Sequence, residues 1–399
     1  MSKELLIKGG YVVTVDPDPG DLPAGDVLVA DGLITAVGPD LEPTTTAAEV
    51  IEAAGRLVIP GMVDTHRHVW QGAIGGYTPQ ITGAGYGSAV LTGIALKHSP
   101  EDVYAGTMWG ALQALDAGIT TIADWAHNDQ SRHTPTRTCA ACGTQGSAAT
   151  SSMADPGRLP TIPIRRTRRT PAACVISTSL PARTGGCGWA WRYAGPVSPV
   201  PSATPKTTRS PATWDCRSRC TWAWRHRRRV TTLQRYRLLG ADVNYVHGNM
   251  LTDREFDLIA ETQGTVTVTP STDMLMQFGT FPATGPALAS SKQVPTVDLH
   301  QRDMLRLATI DGARVWDLED EIGTLTPGKQ ADIAVIDMRS PHLDGFGDPV
   351  AVMVLGAGPA DVETVIVGGD IVKRDGKLAD DHVGHALELM HAARERLRA

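Results

Sequence analysis

The chain has 399 residues, is 42% hydrophobic and carries a formal net charge of -6, enough apolar material for one large domain or two ordinary ones. No apolar run reaches the ~18 residues of a helical membrane span, and the opening MSKELLIKGG lacks the layout of a secretory leader, so a soluble, cytoplasmic protein is expected. The charge is unevenly spread: residues 131–229 hold sixteen Arg and one Lys against two Asp and no Glu, so that window stands near +15 and the remainder near -21.

In chain order, LLIKGGYVVTVD (5–16) and DVLVADGLITAVG (26–38) alternate apolar and polar positions and predict strands. RLVIPGMVDTHRH (56–68) predicts an apolar strand with a polar end. A helix follows from Pro100, with Ser99 as its N-cap and Gly118 closing it. ITTIADW then reads as a buried strand, and strand–helix–strand predicts a parallel α/β unit. The pattern breaks off after about His127 and resumes near Thr231 with a helix, TTLQRYRLLGA, and a strand, DVNYVHGN. Thr252 and Glu255 form a capping-box pattern opening the next helix. TVTVTP is another strand and RDMLRLATIDGARVW (302–316) an amphipathic helix. Short strands return in KQADIAVID, DVETVIVGG and DIVKRDGKL, and HALELMHAARERLRA predicts a C-terminal surface helix. Strands at the two ends are expected to pair into one small β domain.

The chemistry-bearing signal is Asp64-Thr65-His66-Arg67-His68. Strand alternation puts His66 and His68 on one face, and two imidazoles at a strand end suit a divalent metal, zinc or iron. Taken alone, two polar residues on a loop remain an equal reading.

The stretch LVIPGMVDTHRHVWQ resembles the first barrel strand of the amidohydrolase superfamily. GTLTPGKQADIAVID resembles the return of that family's β-sandwich, and VNYVHGNMLTDREFDLIAETQGTVTVTPSTDM its sixth and seventh barrel strands. The nearest branch is that of the deaminases and triazine hydrolases. The resemblance covers 1–127 and 231–399. It implies a (β/α)8 TIM-type barrel with its site at the C-terminal strand ends. It also implies one divalent metal held by His66 and His68, His247 as the residue that orients water and shuttles protons, and Gln71 in the pocket. A buried histidine satisfied within the core remains open for His247. The implied reaction is attack of metal-activated hydroxide, formed at a pKa of about 7, on the C–N or C–Cl bond of an amino-substituted heterocycle.

Two parts of the implied site are missing. The family places a histidine on its fifth strand, expected just before TTLQRYRLLGA, where the sequence reads CRSRCTWAWRHRRRV. His226 sits there among arginines, in no strand pattern. The codons of Cys220-Thr221-Trp222-Ala223-Trp224, read two bases on, give His flanked by Val, Leu or Met and then Gly, with one base assumed. Residues from about 129 to about 230 therefore read as out of frame and are expected to be poorly ordered. The shifted frame has no Glu three residues after that histidine, unlike many deaminases of the branch. The family also ends its eighth strand in Asp, some thirty to forty residues before the helix at 302–316. Only GPALASSKQVPTVDLHQ intervenes here, and Asp298 lies too close to Asp303 to serve, so a deletion is inferred.

The expected layout is a β-sandwich half at 1–55, an incomplete barrel at 56–320, the second sandwich half at 321–380 and a C-terminal helix at 381–399. Weak or no metal binding is expected, with a small heterocyclic substrate, no membrane and the oligomeric state open. Three alternatives stand beside active hydrolysis. The first is a catalytically inactive remnant of such an enzyme. The second is a basic nucleic-acid-binding insertion. The third is a structural zinc site using Cys139, Cys142, Cys216 and Cys220. Disulfides are not expected among the six cysteines in a cytosolic chain.

Overall fold

A computed structural model of the chain describes residues 3–77, 81–125, 128, 174–177, 219–222, 229–235, 237–241, 243–249, 251–276 and 299–398. Fifteen strands lie among them. β1 (Glu4–Val13), β2 (Asp21–Ala30), β3 (Leu33–Gly38), β4 (Glu49–Glu52) and β5 (Arg56–Pro60) come first. β6 (Met62–Arg67), β7 (Ile119–Asp124), β8 (Cys174–Ser177), β9 (Arg219–Trp222), β10 (Val243–Val246) and β11 (Thr265–Thr267) follow. β12 (Ile333–Asp337), β13 (Val362–Val367), β14 (Asp370–Arg374) and β15 (Lys377–Leu378) complete them.

The two chain ends meet in one nine-stranded sheet, ordered β15-β14-β13-β12-β5-β1-β2-β3, with β4 also on β1. Its central strands are buried on both faces. Val58 of β5 and Ile333 and Val335 of β12 enter one apolar cluster with Leu5, Ile7 and Val27. Leu57, Ile59, Ala334 and Ile336 enter another with Val350 and Val365. Two covered faces explain why RLVIP and IAVI are continuous apolar runs rather than alternating ones.

The apolar run 56–68, expected as one strand, is two. β5 belongs to the nine-stranded sheet, whereas β6 starts a second sheet in the order β6-β7-β8. The switch is at Gly61. A side chain there would collide with Thr120, and its neighbours split their bonds, Gly61 N donating to Asp332 O and Met62 N to Gly118 O. β6 and β7 are parallel, joined by the helix Pro100–Asp116. That helix opens as expected, with Ser99 and Asp102 closing a capping box and Gly118 left-handed after its end.

A third sheet, β11-β10-β9, is parallel throughout. β10 leads into the helix Asp253–Glu261 through the Thr252–Glu255 capping box. The helix expected over 231–241 spans Arg229–Arg235. The single helix expected over 302–316 is broken into Gln301–Leu307 and Ile310–Val315. The cause is the Ala308 carbonyl, which accepts from Val63 N of β6 at 2.7 Å and so anchors the turn to the second sheet. The final helix, Asp380–Arg398, lies on Pro100–Asp116, where Arg396 Nε donates to Asp102 Oδ1 at 3.0 Å.

Two four-residue strands fall inside the arginine-rich window. β9 lies parallel to β10, and β8 runs antiparallel to β7, which a ring of parallel strands does not predict. The rest of the expected disorder over 129–230, up to Arg229, lies outside the described residues, as do His226, Cys139, Cys142, Cys216 and Asp298. Among the described residues no helix is long and apolar enough to cross a membrane.

Candidate active site

The site forms where the ends of β6, β7 and β10 converge. The end of β6 is set by β7: Trp125 N donates to Arg67 O at 2.7 Å, and Val69 N donates to Asp124 Oδ1 at 3.1 Å. The chain after His68 turns at once into a short helical segment, Val69–Ile74. That segment presses on the helix Pro100–Asp116 through glycine: a β-carbon on Gly106 would run into the Trp70 carbonyl, and one on Gly110 into that of Val69.

Within this frame His66 and His68 come together as strand alternation predicts, with ring centroids 5.0 Å apart. His66 is buried, with 8% of its surface exposed, and its backbone N–H donates to Asp64 Oδ1 at 3.1 Å. Burial raises the Asp64 carboxyl above its ordinary value, against the opposing pull of the Arg67 charge and the His66 amide. His68 Nδ1 lies 2.9 Å from the Trp125 carbonyl. A carbonyl only accepts, so Nδ1 carries the proton and the lone pair of the neutral ring is on Nε2.

His247 follows β10 and is 5% exposed. Its ring centroid lies 5.6 Å from that of His66, so the three histidines singled out in the sequence form one cluster. The chain turns there through two successive left-handed residues, His247 at φ 73° and Gly248 at φ 70°. Glycine takes that conformation freely, whereas a histidine is strained in it. His247 is held by Thr267 O, which accepts from its backbone N at 2.8 Å. β11 is tied to β6 in turn, Thr267 Oγ1 donating to Thr65 Oγ1 at 3.0 Å.

Sequence reasoning missed Asp273. It lies in the helix Pro270–Leu275, fully buried, with Oδ1 2.7 Å from His247 Nδ1. Thr269 supports the carboxylate, its hydroxyl 2.9 Å from Oδ1 and its backbone N 3.2 Å from Oδ2. Burial alone would raise this carboxyl. The His247 bond and charge and the two Thr269 bonds outweigh it and hold the group below its ordinary value. The one signal in the sequence was an acid in the first turn of a helix opened by Pro270. Gln71 lies on the Val69–Ile74 segment and donates to the Tyr86 hydroxyl, and burial pushes that phenol up to about 12.

The family resemblance implies a metal-held hydroxide here, while weak or no metal binding is expected of the chain as written. A catalytic zinc takes about three protein ligands. Among the described residues no group of three or more His, Cys, Asp and Glu is placed to hold an ion. The described residues therefore do not fit a complete metal centre.

Residues 263–372 match the model of the Amidohydrolase family. The chain is 24% identical to the 5'-deoxyadenosine deaminase of Methanosarcina mazei, over 93% of each chain. It is 26% identical to the 5-methylthioadenosine/S-adenosylhomocysteine deaminase of Symbiobacterium thermophilum, over 94% of each. Among solved structures it resembles an adenosine deaminase from Xanthomonas campestris with bound zinc, at TM-score 0.68 and 17% identity, over 99% of each chain. It also resembles the atrazine chlorohydrolase of Arthrobacter aurescens TC1 complexed with zinc, at TM-score 0.70 and 18% identity, over 97% of this chain and 100% of the other. The likeness shows the fold, an α/β TIM barrel.

Proposed function

We propose that the chain is an amidohydrolase-superfamily scaffold, that of a hydrolase cleaving a C–N or C–Cl bond of a small amino-substituted heterocycle; the family match over residues 263–372 and the deaminase relatives support this. The observation that carries this reading is the meeting of His66, His68 and His247 at the strand tips. The named activities of the relatives, deamination of adenosine derivatives and dechlorination of a triazine, support the substrate class. In that role His68 offers Nε2 towards a metal, His66 supplies the second imidazole, and His247 handles a proton beside them. Gln71 lies on the turn that follows.

A second reading accompanies the first: the chain as written is an inactive remnant, its barrel incomplete. The incomplete donor set among the described residues favours it. In this reading residues from about 129 to about 230 are translated out of frame. The position of β9 supports this. It lies beside β10, where the family resemblance puts the fifth strand, and it contains Cys220 to Trp222, whose shifted codons give an apolar–His–apolar run. The alignment with the Methanosarcina mazei protein runs over 431 positions, more than the 399 residues present, so gaps fall in this chain, as a deletion requires.

Nucleotide sequencing across codons 125–235 tests the frame: one base gained or lost near each end supports it, and an unbroken frame refutes it. The frame-restored protein, also given a relative's eighth-strand segment and supplied with zinc, is then assayed on aminopurines, aminopyrimidines and chlorotriazines. Turnover of one class supports the hydrolase reading, and turnover of none counts against it.

A further inference from the structure

We propose that Asp273 is a positioning residue for His247, locking its ring with the proton on Nδ1 and the lone pair on Nε2. The catalytic meaning of this lock rests on the hydrolase reading; the lock itself rests on geometry.

The contact is 2.7 Å between Nδ1 and Oδ1, the length of a charge-assisted bond. An ionised carboxylate can only accept, so the shared proton is on the imidazole. Asp273 is fully buried, and the structure supplies what keeps it ionised there: the Thr269 hydroxyl on Oδ1 and the Thr269 backbone N–H on Oδ2. A buried carboxylate without such partners costs folding free energy. A purely structural helix-cap role needs only the Thr269 bonds, yet Oδ1 also takes the histidine.

The lock works with the backbone. His247 is already fixed at a left-handed φ by the Thr267 carbonyl, so the Asp273 bond, the shorter of the two Nδ1 contacts beside the Thr269 hydroxyl at 3.1 Å, removes the remaining freedom, rotation of the ring. The anchor is 26 residues further on in sequence and lies past the end of the next strand. His68 is fixed the same way by the Trp125 carbonyl. Two rings of the cluster thus present the same nitrogen, Nε2, as acceptor. A base that takes a proton from a nucleophile needs that nitrogen unprotonated and its ring held still.

The test is the imidazole nitrogen spectrum of the full chain, 15N-labelled at histidine, with His247 assigned through His247→Gln. The expected wild-type result is the Nδ1–H tautomer. Asp273→Ala is expected to shift the ring towards Nε2–H, the form favoured by a free imidazole. Should Asp273→Ala fail to fold, Asp273→Asn replaces it: a neutral amide weakens the bond, and the Nδ1 proton resonance is expected to move upfield. A wild-type His247 protonated on Nε2, or a tautomer and resonance unmoved by substitution, overturns the proposal. In the frame-restored protein, Asp273→Asn is expected to lower kcat by roughly 10–100-fold with KM nearly unchanged, as for other groups that orient active-site ligands. A tautomer lock in a restored protein that hydrolyses nothing sinks the hydrolase reading and leaves the lock standing. Turnover together with an unlocked ring does the reverse.

Discussion

Gly106 lies directly beneath the main-chain oxygen of Trp70, with no room for a β-carbon between them. This contact joins the helix Pro100–Asp116 to the segment that carries the chain away from His68. Gly106→Ala is therefore expected to overpack the join and to destabilise the protein by about 1–3 kcal/mol, read in a denaturant melt. It is also expected to disturb the imidazole resonances of His66 and His68. An unchanged midpoint together with unchanged resonances would show that the contact does not fix the turn.

Lys373 offers a second test, at the junction of the nine-stranded sheet and the same helix. Its ammonium is almost fully buried and donates to Asp116 O at 2.7 Å and Pro359 O at 2.9 Å, with Asp116 Oδ1 at 2.8 Å. Lys373→Met keeps the length but leaves those oxygens without their donor. Asp116 is half exposed and can rehydrate, so the expected loss is about 1–3 kcal/mol. A neutral or stabilising effect would mean that burying the charge costs as much as its bonds return.

Asp337 gives a pH-dependent prediction. Its hydrogen bonds to Arg339 hold its carboxyl down to about 2, against burial and with help from the Arg56 charge. The unfolded value is about 3.9, so the folded pKa is the lower one. The contribution to stability is then complete above about pH 4 and disappears as the pH falls through about 2. The pair faces water, so the effect is small. Asp337→Asn should lower the melting temperature at neutral pH, and the gap should close on acidification. A gap that stays constant or widens in acid would contradict the pairing.

The histidine cluster was legible because two of its members sit two residues apart on a strand, where period-2 geometry makes them neighbours whatever the rest of the fold does. The caps at Ser99 and Thr252 were legible for the same local reason. The split at Gly61 was not, because both halves of that apolar run are buried, and only the approach of Thr120 shows that they serve different sheets. The broken helix at Ala308 was hidden too, since its carbonyl is claimed by Val63, a strand residue far away in sequence. Asp273 escaped notice because its partner is brought to it by tertiary structure alone. The arginine-rich window has no apolar period, and sequence reasoning found no strand in it apart from the shifted frame at Cys220.

We propose that His66 and His68 are half of a metal site whose other ligands were lost with the out-of-frame window and the deleted eighth strand. This central claim is tested most directly by titrating zinc into the chain as written and into a frame-restored chain that also carries a relative's eighth-strand segment. The account predicts about one zinc per restored chain, lost on His66→Ala or His68→Ala, and no stoichiometric zinc in the chain as written. Equal, stoichiometric binding by both chains, or binding by the restored chain that survives loss of both histidines, would contradict it.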